Sequence, residues 1–141
     1  MIVTWSGWCS LEIPEGWANE DRPDVVSIFR EQDGVGALQL SFARRARPES
    51  PTAEAVKAIA ESYAVQRGWH LRDASIRLTT VDGSPCAEFE HVESNDEGAY
   101  WHVWHILDST RLVFVTYVCE PEDARVEQLE RNSIVSSLRW S

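Results

Sequence analysis

One stretch of this chain breaks the usual alternation of apolar and polar residues. From Ala99 to Val118, AYWHVWHILDSTRLVFVTYV, apolar side chains fill odd and even positions alike. A sheet with one wet face would alternate. The stretch therefore predicts two strands joined at Ser109-Thr110 and covered on both faces.

The remaining segments fall into order around it. Val3 to Ile13 reads as a first strand interrupted by Gly7, with Trp5, Cys9, Leu11 and Ile13 on one face and Trp8 on the other. Pro14-Glu15-Gly16 breaks it, since proline lacks a ladder donor and glycine supplies positive φ. Trp17 follows, either folded back over the end of the core or standing exposed as a contact residue. Asn19 to Asp24 reads as a polar loop, and Val25 to Arg30 and Ala37 to Phe42 as strands hinged at Gln32-Asp33-Gly34. Ser50-Pro51-Thr52 opens a helix that Gly68 closes, with Val56, Ile59, Ala60, Tyr63 and Ala64 as its buried stripe. Strands over Ser75–Val81 and Cys86–Glu93 precede the central hairpin. The acidic run after Cys119, with Pro121, opens a second helix reaching about Leu138. Its apolar residues are Val126, Leu129, Ile134 and Leu138, with Glu130 intruding on their arc.

The order β-β-β-α-β-β-β-β-α predicts an α+β fold: a single, mostly antiparallel sheet of about seven strands with a helix on each face. Residues 1–141 form one domain, long enough to bury roughly two thirds of the surface its unfolded chain exposes.

Composition narrows the partners. The formal charge is −10, a field that repels phosphate backbones and anionic lipid, so nucleic acid and membrane insertion are not expected. A basic protein partner is compatible, and so is acidity that serves solubility alone. The opening MIVTWSGWCS lacks the charge and apolar run of a signal peptide, and no stretch is apolar enough to span a bilayer. Cys9, Cys86 and Cys119 are odd in number and widely spaced, which suits reduced, buried thiols and a cytoplasmic location. The seven tryptophans either supply a large part of the core or leave an exposed few as a sticky patch.

The candidate chemistry thins out on inspection. His102 and His105, three apart on a strand, point to opposite faces and cannot share a metal ion. With a two-residue turn, His105 faces Phe114 and His102 faces Tyr117; the preceding hairpin brings His91 near Trp101 and Glu90 near His102, a structural Glu–His pair. Arg44, Arg45 and Arg47 form the one basic cluster, ordinary for a strand leaving a sheet. Gly34 and Gly36 fit a hairpin, not a phosphate loop, because no GK[ST] follows. No nucleophile elbow, metalloprotease or dinucleotide motif occurs, so the sequence predicts no enzyme, no cofactor and no metal.

Three short stretches carry a resemblance. Leu11-Glu12-Ile13-Pro14-Glu15-Gly16-Trp17, Gly36-Ala37-Leu38-Gln39-Leu40-Ser41 and Ile134-Val135-Ser136-Ser137-Leu138-Arg139-Trp140 resemble the opening, third strand and closing segment of the PsbP-like superfamily. That group of small α/β/α sandwiches takes in a Ran-binding import factor, LpqN-type lipoproteins and bacterial DcrB-like domains. The resemblance implies a non-enzymatic adaptor or chaperone that holds a protein partner, as DcrB-like chaperones escort secreted toxins in a bacterial cytosol. Trp5, Trp8 and Trp17 are the candidate partner-binding residues, and a homodimer is left open. Alternatives are an immunity protein neutralising a basic toxin, or a small-ligand binder with a pocket between helix and sheet, marked by a cleft holding His102 or Arg44.

Overall fold

The computed structural model describes residues 1–72 and 75–141. In chain order its strands are β1 (Ile2–Trp5), β2 (Cys9–Glu12), β3 (Trp17–Asp21), β4 (Val26–Arg30) and β5 (Gly36–Arg44). Helix α1 (Ala53–Gln66) follows, then β6 (Arg77–Val81), β7 (Ser84–Val92), β8 (Tyr100–Leu107) and β9 (Arg111–Cys119). A 3-10 turn at Pro121–Asp123 leads to α2 (Gln128–Ser136) and β10 (Arg139–Trp140). Seven strands form one antiparallel sheet in the order β3-β4-β5-β9-β8-β7-β6. The doubly apolar hairpin is β8–β9, in mid-sheet as expected, and His102 lies opposite Tyr117 and His105 opposite Phe114.

The two faces of the sheet bury separate cores. On one, Leu38, Leu40, Trp104, Ile106, Val113 and Val115 pack with Ile134, Val135 and Leu138 from the α2 end of the chain. On the other, Val56, Ala60 and Ala64 of α1 cover Ala87, Phe89, Val103 and Leu107. Thr52 caps α1, its hydroxyl accepting from the Ala55 amide at 3.0 Å. Helix α1 lies over β7 and β8, which leaves Gln39 and Ala43 of β5 exposed on the same face.

The opening segment departs from the single strand expected over Val3–Ile13. Gly7, at φ +81°, lets the chain reverse, and β1 pairs back on β2 with Trp5 opposite Cys9. Strand β10 adds to the other edge of β2, making a three-stranded sheet that shares the α2-side core through Cys9, Leu11 and Ile13. Of the run Asn19–Asp24 expected as a loop, Asn19 to Asp21 belong to an edge strand and Arg22 to Asp24 form the connection to β4. Paired on one side only, β3 needs a single buried residue, Trp17, and after Ala18 its positions are polar.

Helix α2 is also differently phased. It starts at Gln128, seven residues later than the run from Pro121 suggested, because a 3-10 turn intervenes. Val126 and Leu129 consequently face solvent, Leu129 at 86% exposure, whereas Glu127 and Arg131 are fully buried.

Candidate functional site

Trp5 and Trp8 lie at the two ends of the Gly7 turn, and the turn is held from the central hairpin. Arg111, the first residue of β9, donates from one guanidinium nitrogen to the carbonyls of Gly7 at 3.0 Å, Trp8 at 3.2 Å and Ser141 at 2.7 Å. Its own orientation is fixed by Asp108, 2.7 Å away. Burial opposes ionisation of Asp108, but hydrogen bonds from Arg111 and from the Thr110 and Arg111 amides prevail and hold the carboxyl below its ordinary value. The Gly7 turn is thus pinned to the central hairpin of the sheet.

Both indoles gather on Phe42 of β5. Trp8 stacks on it at 5.2 Å and 16°, and Trp5 tilts against it at 6.2 Å. The Trp5 indole N–H donates to Asp21 Oδ2 at 3.1 Å, and the Arg44 guanidinium lies 4.7 Å from the Trp8 ring centre. Between them and the β3–β4 connection is a pocket of about 500 Å3, walled by Trp5, Trp8, Phe42, Pro23 and Val25, with Asp21 and Asp24 on its rim. Trp17, the third residue singled out, is elsewhere: it is 4% exposed and its indole donates to Glu130 at 2.7 Å, closing the core under α2. The three arginines do not converge. Arg44 covers Trp8, Arg45 donates to the carbonyls of Glu49 and Asp108, and Arg47 is exposed.

Beneath α2 lies a polar network that the sequence did not announce. Arg131, with no exposed surface, donates from Nε to His102 Nδ1 at 3.2 Å, and from its terminal nitrogens to the Ala124 carbonyl and the Tyr100 hydroxyl. Because Nδ1 accepts, the neutral His102 ring carries its proton on Nε2 and gives it to Glu88 Oε2 at 2.8 Å. The carboxylate partner is therefore Glu88, not Glu90, although Glu90 lies directly opposite His102 in the register. Glu90 is engaged by the Tyr100 hydroxyl and by Arg125. Tyr117 donates to the buried Glu127 at 2.7 Å, and burial followed by that carboxylate pushes the phenol well above its ordinary range. Both nitrogens of His102 are used, so this cluster orients α2 and offers no free acid or base.

A second cavity, about 550 Å3, opens between α1 and the β5–β9 pair. Ile59, Tyr63, Leu112 and Phe114 form its apolar walls, and His105 contributes its ring. His105 is 2% exposed, and among the described residues its Nδ1 is the buried side-chain polar atom without a hydrogen-bond partner. Burial pulls its pKa from 6.5 down to about 4, so the ring is neutral at physiological pH. The cleft thus involves His105, and neither His102 nor Arg44 lines it.

Among the described residues, no group of three or more His, Cys, Asp or Glu side chains is gathered for a metal ion. Cys9, Cys86 and Cys119 are free and buried, and burial pushes the Cys9 and Cys86 thiols up to about 12, far from a reactive thiolate at neutral pH. Among the described residues, no helix is long and apolar enough to cross a membrane.

Two helices flanking a seven-stranded antiparallel sheet, with a small three-stranded sheet beside α2, define an α+β sandwich. Its fold is PsbP-like. The chain matches the solution structure of cyanobacterial PsbP (CyanoP) from Synechocystis sp. PCC 6803 with a TM-score of 0.61 at 12% identity, covering 100% of this chain and 92% of that one. It also matches a crystal structure from Bacteroides thetaiotaomicron with a TM-score of 0.68 at 14% identity, covering 95% of this chain and 45% of the other. The chain thus spans less than half the length of the Bacteroides protein. No protein-family model matches the chain, and no curated protein does.

Proposed function

We propose that this protein is a non-enzymatic adaptor or chaperone that receives a basic segment of a partner protein at the Trp5–Trp8–Phe42 pocket. The observation that carries the reading is the juxtaposition of two half-buried indoles with Asp21 and Asp24 around one cavity. Aromatic faces and carboxylates together suit a lysine or arginine side chain. Arg44 already covers one face of Trp8, so an incoming cation is left Trp5 and the two carboxylates. The overall charge of −10 would speed encounter with such a partner. Three free thiols suit a reducing compartment, and the reading places the protein in a bacterial cytosol, with secreted effectors among the candidate clients.

The test is capture from the native host with the wild-type chain and with Trp5→Ala/Asp24→Asn. A specific partner retained by the wild type, weakened at least about tenfold in the variant and increasingly lost as salt is raised supports the reading. A partner bound equally by both proteins would sink it. A captured toxin whose activity is blocked on binding would shift the same surface to an immunity role.

A further inference from the structure

We infer that the groove between α1 and the β5–β9 strands is a binding site for a small, neutral, phenol-like molecule, its ring held against Ile59, Tyr63 and Phe114 and its hydroxyl bonded to His105. Two independent features support this site, which shares Phe42 with the Trp5–Trp8 pocket and is otherwise lined by different residues. The first is space: about 550 Å3 with apolar walls falls within the ~300–1,000 Å3 typical of small-molecule sites. The second is the His105 ring in the groove wall, 2% exposed, with Nδ1 lacking a partner and sealed from solvent, so that a ligand hydroxyl reaches it only as the rings around it shift. Buried polar atoms are almost always paired, and one that is not calls for an explanation, of which an absent partner is one.

The neighbours of His105 do not supply that partner. Tyr63 meets it edge-on at 5.7 Å and Phe114 tilts against it at 4.9 Å, so the imidazole is clasped by aromatic carbon. Those same rings offer an incoming aromatic the tilted contacts it prefers. The chemistry of the ligand follows from what the wall holds. No Lys, Arg, Asp or Glu lines the groove, and burial keeps His105 uncharged at neutral pH, so an ionised ligand would enter without a counter-charge. A hydroxyl both donates and accepts, and therefore satisfies Nδ1 in either tautomer of the neutral ring.

Titration of the intact chain with para-propylphenol, propylbenzene and para-propylbenzoate tests the assignment. The phenol should bind about two- to tenfold more tightly than propylbenzene, as expected for one buried hydrogen bond. The benzoate should gain no such advantage. Heteronuclear NMR of the imidazole nitrogens should show the His105 signals moving on saturation with the phenol. His105→Phe should erase the phenol's preference while keeping propylbenzene affinity. Equal binding of phenol and propylbenzene, no binding of either, unmoved His105 nitrogens, or a preference that survives in His105→Phe would each overturn the inference. If the variant fails to fold, the ligand series and the nitrogen shifts on the wild type decide the matter.

Discussion

His105 should make the protein lose stability as pH falls, long before its carboxylates titrate. In the native state its pKa is about 4, against 6.5 for an unperturbed ring. Between those values the unfolded chain takes up a proton that the folded chain refuses, so stability rises with pH across this window and is complete above it. The slope is at most about 1.4 kcal/mol per pH unit. Lowering the pH from about 7 to about 5 should cost about 2 kcal/mol at this residue, and the full gap about 3 kcal/mol. His102, pulled down chiefly by burial, adds a loss of the same sign. Glu88, held low first by its hydrogen bond from His102, and Asp108 contribute only below the ordinary carboxylate range.

The assay is urea unfolding followed by tryptophan fluorescence at several pH values, comparing wild type with His105→Phe. The variant exchanges the unpartnered nitrogen for carbon among rings it can pack against, so its stability at neutral pH should change by no more than about 1 kcal/mol. Its loss between pH 7 and 5 should be smaller than that of the wild type by about 2 kcal/mol, with the denaturant slope unchanged. A variant that retains the wild-type pH dependence would refute the claim that His105 is held neutral by burial.

Two further perturbations probe the scaffold. Arg131→Met should cost about 3–5 kcal/mol in the same assay, because it strips His102 Nδ1, the Ala124 carbonyl and the Tyr100 hydroxyl of a shared donor; a neutral outcome would show that the network is dispensable. Gly36→Ala should cost about 2–4 kcal/mol, since its Cβ would meet the Tyr117 ring and the Val118 carbonyl at 2.6 Å; wild-type stability would mean that β9 yields where a packed mid-sheet strand should not.

The central hairpin was legible because its turn fixes everything around it. Two residues at Ser109-Thr110 dictate that His105 meets Phe114 and His102 meets Tyr117, as the structure shows. What escaped the sequence depends on tertiary neighbours. β3 carries one buried residue, so its pattern is that of a loop. β10 has only two residues and exists because β2 offers an open edge. The inward turn of Glu127 and Arg131 answers two tyrosine hydroxyls and a histidine on the sheet below; that demand appears only once β8 and β9 are paired and α2 is laid over them. The Trp5–Trp8 pocket likewise needs Asp21 and Val25, brought in from the end of β3 and the β3–β4 connection, which the linear pattern does not relate to β1.

The strand geometry that separates the two histidines also gives them opposite surroundings. His102 points to the face under α2, where Glu88 and Arg131 occupy both its nitrogens; a ring so placed has nothing left to offer a ligand. His105, three residues on, points to the α1 face, where the helix covers β7 and β8 and leaves a groove beside them. No residue of α1 reaches its Nδ1. A bulkier residue at Ala58, which lines the groove, would act on the α1 face and leave the network under α2 untouched, because the two faces share no core side chain. The separation makes a binding site on the α1 face compatible with a well-knit sheet: the unsatisfied nitrogen is confined to the side where space is available, and the opposite side carries the hydrogen bonds that orient α2.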